Sequence, residues 1–172
     1  ANVILRDADG FNVGDGRTTH HGLEYEYRLR LGQSWQVTAA GTFARHQYDF
    51  SRSIDGGETI VSGRDVDTAP RQLHRLALAW RLATRWDAEL ELQQVGPYFA
   101  DAANLARYPG HALANLRLAW SPQPWLRGTL RVSNLMDRAY ADRADFAQGD
   151  WRYFPGRGRS AFIEFEYLHA AP

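Results

Sequence analysis

The sequence contains no cysteine among its 172 residues, which excludes a disulfide framework, a thiolate metal ligand and a thiol nucleophile. It also has no excess of either charge, because 20 basic side chains balance 20 acidic ones. A nucleic-acid-binding protein normally shows a basic excess, so no nucleic-acid partner is expected. The mean hydropathy is −0.50, and no apolar run reaches the roughly 18 residues that a transmembrane helix needs.

A search for long apolar runs does not detect a transmembrane strand, because such a strand needs only about 10 alternating residues, half of them polar. Alternation of this kind runs through most of the chain. Between residues 23 and 31, for example, Leu and Tyr occupy the odd positions and Glu and Arg the even ones. A period of two places the two sets on opposite faces of a strand.

The pattern predicts an all-β fold of about eight antiparallel, up-and-down strands. The predicted strands are residues 2–6, 18–31, 35–50, 72–82, 86–98, 111–121, 125–133 and 160–168. Their connections alternate in length: 32–34, 83–85 and 122–124 are short, whereas 7–17, 51–70, 99–110 and 136–159 are long. A tryptophan follows each short turn, at Trp35, Trp86 and Trp125.

Up-and-down strands place all short turns at one end of the sheet and all long loops at the other. The three tryptophans then form a girdle at the short-turn end, and indoles favour a membrane–water interface. The predicted strands are also longer than the usual 5–6 residues. These features favour a transmembrane β-barrel segment of the bacterial outer membrane, with periplasmic turns, extracellular loops and its apolar face toward lipid. The alternative is a soluble sandwich or barrel whose apolar face points inward.

The polar face has a charge pattern of its own. The strand with Arg75 and Arg81 precedes one with Asp87, Glu89 and Glu91, and Arg127 and Arg131 precede Glu164 and Glu166. Neighbouring strands of opposite sign can form cross-strand ion pairs. The polar face is therefore expected to be charged locally and neutral overall.

No catalytic constellation occurs, so the protein is not expected to be an enzyme and no cofactor is expected. His20 and His21 are adjacent, so their rings point to opposite faces of a strand and cannot jointly bind a metal; no metal site is expected. The acidic spacing of the last loop fits no calcium loop. Asn134 and Asp137 are expected to cap turn backbone, and Gly156 and Gly158 to relieve steric limits where the chain re-enters the sheet.

Ligand contacts are expected on the long-loop side, where cations and aromatic rings suit an anionic metal chelate. The candidate residues are Arg45, His46, Tyr48, Arg64, Tyr98, Arg107, Trp151 and Arg152.

Several segments resemble, in order, those of TonB-dependent outer-membrane receptors. The most distinctive is Asn134-Leu135-Met136-Asp137-Arg138-Ala139-Tyr140, which is similar to the N-L-x-D-x-x-Y segment near the end of these receptors. Pro155-Gly156-Arg157-Gly158-Arg159 resembles the P-G-x-x-R before their last strand. Weaker similarities occur at 21–24, 67–71 and 97–111. Across the segments 134–140 and 155–159, the residues to which the resemblance gives a structural role are Asn134, Leu135, Asp137, Tyr140, Pro155, Gly156 and Arg159.

The resemblance implies that residues 1–172 are the C-terminal portion of a barrel of about 22 strands. The plug domain, its TonB box and the earlier strands are then absent from the chain. The implied function is uptake of a nutrient, usually a ferric siderophore, driven by TonB. Family members usually end on an aromatic residue, whereas here His169-Ala170-Ala171-Pro172 follows Tyr167. The alternatives are a self-contained eight-stranded outer-membrane barrel with a structural or adhesive role and a soluble lipocalin-like barrel.

Overall fold

The structure is a computed structural model that describes residues 2–168; the tail 169–172, with its departure from the expected aromatic ending, lies outside the described residues. The elements are almost all strands, with one short 3-10 helix at Asp55–Gly57. Over the described range, no helix has the length and apolarity to cross a membrane. The strands are β1 Asn2–Arg6, β2 Asn12–Leu31, β3 Trp35–Tyr48, β4 Arg52–Ser53, β5 Thr59–Ile60, β6 Gln72–Ala83, β7 Trp86–Val95, β8 Tyr98–Phe99, β9 Arg107–Tyr108, β10 His111–Gln123, β11 Leu126–Ser133, β12 Ala141–Ala147, β13 Asp150–Pro155 and β14 Ser160–Tyr167.

Eight of these strands form one antiparallel sheet in the order β1-β2-β3-β6-β7-β10-β11-β14. Consecutive strands of the sheet are neighbours throughout, which confirms the up-and-down, all-β prediction. The sheet is open, because β1 and β14 lie at its two edges. The described strands therefore do not close into the self-contained barrel that was considered as an alternative.

The strands pair in a regular register, so the predicted apolar and polar faces of the sheet are maintained along the strands. β2 and β3 pair without interruption from Thr18 opposite Tyr48 to Leu31 opposite Trp35. On the apolar face, Leu23 is 66 % exposed and Phe165 is 74 % exposed. No second layer of the described chain covers this face, so the lipocalin-like alternative, with its apolar face packed inward, does not fit.

An aromatic belt lies at the short-turn end of the apolar face. Trp35 stacks on Trp80 with ring centroids 4.5 Å apart and planes 6° apart. Trp86 stacks on Trp120 at 5.9 Å. Trp125 meets Tyr167 edge-on at 5.5 Å. Trp80 and Trp120, which the sequence pattern did not single out, add the neighbouring strands β6 and β10 to the predicted girdle.

The polar face carries the expected cross-strand ion pairs. Arg75 pairs with Glu91, and Arg81 lies 3.7 Å from Asp87. Arg131 lies 3.4 Å from Glu164. The prediction of a locally charged polar face is therefore confirmed at these three pairs.

Several predicted boundaries were wrong. The predicted loop 7–17 is a short connection, because β2 begins at Asn12 and pairs with β1, Leu5 opposite Val13. The Gly- and Asp-rich composition of this segment had suggested a loop. Gly16 nevertheless belongs to a strand, because a Cβ there would come within 3.1 Å of the Phe50 ring, and such a close approach favours glycine inside a strand. The boundaries of two later strands also differ: β10 continues to Gln123 instead of ending at residue 121, and Trp125 lies in the turn before β11.

The long loops at the other end were predicted without internal strands, and this was also wrong. The three loops after β3, β7 and β11 each fold back as a hairpin, pairing β4 with β5, β8 with β9 and β12 with β13. The predicted strands 35–50 and 86–98 end earlier, at Tyr48 and Val95, and the hairpins begin shortly afterwards, at Arg52 and Tyr98.

Candidate functional site

The loop hairpins pack on one another at the long-loop end and contain most of the buried residues among those that the structure describes. One cluster joins Tyr48, Ile60 and Ala102. A second joins Tyr98, Tyr108, Ala141 and Ala144, with Ala144 fully buried at 0 % exposure. The hydrophobic core of the described chain is thus in the loops rather than under the sheet.

Hydrogen bonds from tyrosine hydroxyls and main-chain groups connect the hairpin β8–β9 to β12. The amide of Ala144 donates to the Tyr98 hydroxyl at 2.8 Å, and the amide of Ala141 donates to the Tyr108 hydroxyl at 3.1 Å. The amide of Phe146 donates to the Ala100 carbonyl at 2.8 Å. Main-chain groups that would otherwise be buried without a partner are therefore satisfied between the loops.

Side-chain bonds connect the loop after β3 to the loop after β7. The Asn104 side chain accepts from the Asp65 amide and donates to the Asp65 carbonyl, both at 2.8 Å. The Ala102 amide donates to a Glu58 carboxylate oxygen at 2.9 Å, and the Arg64 guanidinium donates to the Ala103 carbonyl. The three long loops therefore form one interconnected unit.

A cavity of about 250 Å³ opens between these loops. Four carboxylates and two guanidinium groups line it, from Glu58, Asp67, Asp101, Asp145, Arg143 and Arg152. Asp145 is 6 % exposed and lies 2.6 Å from Arg143 and 3.5 Å from Arg152. The cavity can therefore present either charge to a polar ligand.

Burial shifts the protonation of groups around this cavity. Desolvation raises the pKa of Glu58, and the nearby Asp101 and Asp67 carboxylates raise it further against the bond from the Ala102 amide. Burial also raises the pKa of Tyr98. Beside the same cavity, the Tyr48 hydroxyl donates a hydrogen bond to the Asp67 carboxylate.

The structure distributes the eight candidate ligand residues over several places. Tyr48 and Arg152 line the same cavity as Glu58. Tyr98 and Arg107 line a second cavity of about 370 Å³. Arg64 lies beside Ala103 on a third surface near Phe146.

The other three candidates lie apart from those cavities. Arg45 belongs to the apolar-face set of β3 and lies 3.7 Å from Asp65. His46 is on the polar face and contacts His20. Trp151 stacks on Tyr153 with centroids 5.4 Å apart, which forms a flat aromatic surface on β13.

Sequence reasoning missed the carboxylates of the cavity and the partner arginine, Arg143. One signal was available for the last hairpin. Gln148 and Gly149 form its two-residue turn, with φ of 56° and 86°, and a positive φ at both positions is the hairpin-turn pattern that favours glycine. Glu58, Asp67 and Asp101 had no local signal, because only loop packing brings them together.

The two resemblance motifs meet at the base of the last loop. Asn134 is 2 % exposed, and its side chain donates to the carbonyls of Arg138 at 2.9 Å and Arg157 at 3.2 Å. It also accepts from the Arg138 amide at 2.9 Å. Asp137 accepts from the Arg159 amide at 2.9 Å. We call these contacts between residues 134–140 and 155–159 the loop clasp.

Metal-binding groups are sparse in the part of the chain that the structure describes. No group of three or more His, Asp or Glu side chains in residues 2–168 is arranged to hold a metal ion.

Comparison with known proteins identifies the family. The family model described as "TonB dependent receptor-like, beta-barrel" matches residues 1–135. The pesticin receptor of Yersinia enterocolitica is 26 % identical over 132 residues, which is 75 % of this chain and 18 % of that receptor. The pesticin receptor of Yersinia pestis matches equally, at 26 % identity over 132 residues, again 75 % of this chain and 18 % of the relative. This chain therefore spans less than a fifth of the length of these relatives.

Solved structures share the fold. The siderophore receptor PiuA from Acinetobacter baumannii superposes with a TM-score of 0.78 at 15 % identity, covering 96 % of this chain and 24 % of that one. The ferric yersiniabactin uptake receptor FyuA from Yersinia pestis gives 0.73 at 21 % identity, covering 88 % and 24 %. These relatives are receptors rather than enzymes. The chain belongs to the TonB-dependent receptor family, as a part of the β-barrel with which these proteins span the bacterial outer membrane.

Proposed function

We propose that this chain is the C-terminal portion of the barrel of a nutrient-uptake receptor, which imports a ferric siderophore or a similar metal chelate. Its sheet supplies barrel wall and its hairpins supply part of the extracellular mouth. The open sheet supports this assignment. Unpaired main-chain groups are costly in lipid, so the edges of β1 and β14 need partner strands, which the rest of a larger barrel would provide.

The observation that carries the proposal is the interconnected loop unit, which presents arginines and a stacked aromatic surface at the long-loop end. The loops are held together by buried tyrosines and side-chain bonds, so the groups on their surface keep fixed positions. Arg107, Arg152 and the Trp151–Tyr153 surface offer cations and flat rings, which suit an anionic chelate with planar metal-binding groups. The neighbouring structures include receptors for ferric chelates, among them FyuA.

TonB is the proposed source of energy, acting through a plug domain outside this chain. The described residues form the sheet and the loop hairpins, so the plug is assigned to another part of the complete protein. Outer-membrane lipid is the proposed partner of the apolar face, with the aromatic belt at the periplasmic interface.

The test uses the complete protein in cells that lack other ferric-siderophore receptors. Uptake of radioactive iron from a panel of siderophore complexes would be measured with and without a functional TonB. Arg107→Ala and Arg152→Ala should weaken binding of the transported complex, whereas Arg30→Ala, on the polar face near a short turn, should not. The proposal fails if no complex of the panel supports TonB-dependent uptake by correctly inserted protein.

A further inference from the structure

His20 and His46 lie directly opposite each other on β2 and β3. Their Nδ1 atoms are 2.7 Å apart, and their ring centroids are 4.9 Å apart with planes tilted by 59°. A contact between two ring nitrogens is a hydrogen bond only if one carries the proton and the other presents its lone pair. The 2.7 Å contact thus places the two Nδ1 atoms within reach of one shared proton.

Regular pairing of β2 with β3 on both sides of His20 and His46 fixes the backbone positions of the two histidines. The ladder of β2 and β3 is unbroken across the pair, with Thr19 opposite Gln47 and His21 opposite Arg45. Both histidines lie on the polar face, whereas His21 lies on the other. Adjacent histidines thus point apart, and the effective partner of His20 is 26 residues away.

The positions on the two sides of the pair differ in the bulk of their side chains. The next positions of the polar face toward the membrane are Gly22 and Ala44, opposite each other, which carry almost no side chain. On the other side, Thr18 and Tyr48 are each 6 % exposed. Arg71, whose carbonyl accepts from the Ala44 amide, has its charge paired with Asp65 at 2.6 Å.

We propose that His20 and His46 form a cross-strand site for a borderline divalent cation of the Cu²⁺, Ni²⁺ and Zn²⁺ class. The cation takes the place of the shared proton and binds both Nδ1 lone pairs. With metal–nitrogen bonds of about 2.0–2.1 Å, two ligands at a tetrahedral angle stand about 3.3 Å apart. The rings then separate by roughly 0.6 Å, which small side-chain rotations supply.

Thr18 makes this arrangement possible without a net release of protons. When both Nδ1 atoms bind the cation, each neutral ring carries its proton on Nε2. The Nε2 atom of His20 lies 2.9 Å from the Thr18 hydroxyl, which can accept that proton in a hydrogen bond. An outer-shell acceptor of this kind fixes the tautomer and the orientation of a metal-binding histidine.

The site has an open side, because no third His, Asp or Glu among residues 2–168 completes it. Water or donor atoms that arrive with the cation fill the remaining positions. Two imidazoles suit Cu²⁺ best, then Ni²⁺ and Zn²⁺, and do not suit Mg²⁺ or Ca²⁺. The inference is independent of siderophore uptake, since it concerns binding of the bare cation.

The test is titration of the complete, tag-free protein in detergent with Cu²⁺ or Ni²⁺, followed by calorimetry. His20→Ala and His46→Ala should each abolish one binding site or weaken it at least about tenfold. His21→Ala, a matched change on the opposite face, should leave it unchanged. Heat-dependent gel migration would check that every variant is folded.

A spectroscopic measurement separates ligation from a structural role of the histidine pair. The electron paramagnetic resonance spectrum of the Cu²⁺-loaded protein should show coupling to two imidazole nitrogens, and to fewer in His46→Ala. The proposal is overturned if folded His20→Ala and His46→Ala bind Cu²⁺ as the parent does, or if His21→Ala loses binding to the same extent.

Discussion

The ring of Tyr140 lies so close to the backbone of Gly156 that a Cβ at position 156 would come within 2.2 Å of two ring carbons. The Gly156 amide also donates to the Tyr140 carbonyl at 3.0 Å. This contact joins the two ends of the loop that carries β12 and β13. A side chain at position 156 therefore has to displace either the ring or the backbone that leads into β14.

We predict that Gly156→Ala destabilises the complete protein by about 1–3 kcal/mol, the usual cost of overpacking. Unfolding in urea, followed by tryptophan fluorescence, would measure it. Gly14→Ala is the control, because a Cβ there meets only Ile4, at 4.0 Å. Combining Gly156→Ala with Tyr140→Ala should lower the cost of the glycine change; an unchanged cost in the double variant would show that the ring contact is not its cause.

Asn134 is the centre of the loop clasp, and its side chain makes three hydrogen bonds to main-chain groups. Its φ of 50° is a conformation that asparagine tolerates better than most residues. We predict that Asn134→Ala costs about 1–3 kcal/mol, because buried polar groups lose their partners. Asn134→Asp keeps the bond from the Arg138 amide but turns a carboxylate oxygen toward the carbonyls of Arg138 and Arg157, so it should not restore the stability of the parent. Equal unfolding midpoints for the alanine variant and the parent would contradict the assignment.

Glu91 connects the polar face to the loop clasp. It accepts hydrogen bonds from Arg75 and from Asn115, the latter at 3.0 Å, and Asn115 in turn accepts from the Asn134 amide at 2.9 Å. We predict that Glu91→Ala destabilises the protein by about 1–3 kcal/mol and speeds proteolysis of the last loop. Glu164→Ala removes an ion pair exposed on both sides and should have little effect. If both changes act alike, the network does not extend to the loop.

The sheet could be predicted from the sequence because its information is local. The period of two in residues 23–31 fixes the faces of β2, and the tryptophan after each short turn marks one end of the sheet. The ion pair of Arg75 with Glu91 follows from charges on successive strands, since up-and-down topology makes those strands neighbours.

The loop unit and the histidine pair could not be predicted in the same way. The contact of His20 with His46 depends on the register of β2 and β3, and a shift of one residue would turn one ring to the other face. Glu58 and Asp101 meet only through the packing of two loops that are distant in sequence. Gly16 was predicted to lie in a loop, although it belongs to β2, where the Phe50 ring lies close to its backbone.

The raised pKa of Glu58 predicts a pH dependence of the loop unit. Because the folded-state pKa lies above the unfolded one, the contribution of Glu58 is fully present below its ordinary pKa and is lost as the pH rises through the raised value. Glu58→Gln imitates the protonated form at any pH. Amide protection in residues 98–108, corrected for intrinsic exchange, should match the parent at pH ~4 and exceed it at neutral pH. Higher protection of the parent at neutral pH would contradict the burial argument.

The stacked rings of Trp35 and Trp80 predict an energetic coupling within the aromatic belt. The ring centroids are 4.5 Å apart and nearly parallel, at the end of the apolar face where the short turns lie. Trp35→Ala and Trp80→Ala should each lower the free energy of unfolding in lipid vesicles. The double variant should lose less than the sum of the two by about 0.5–1.5 kcal/mol, the usual worth of an aromatic pair beyond its buried area. Trp35→Ala with Trp120→Ala is the matched control, because Trp120 stacks on Trp86 instead, so its two effects should add. Additive losses for Trp35 and Trp80 would mean that each indole acts through the lipid interface alone.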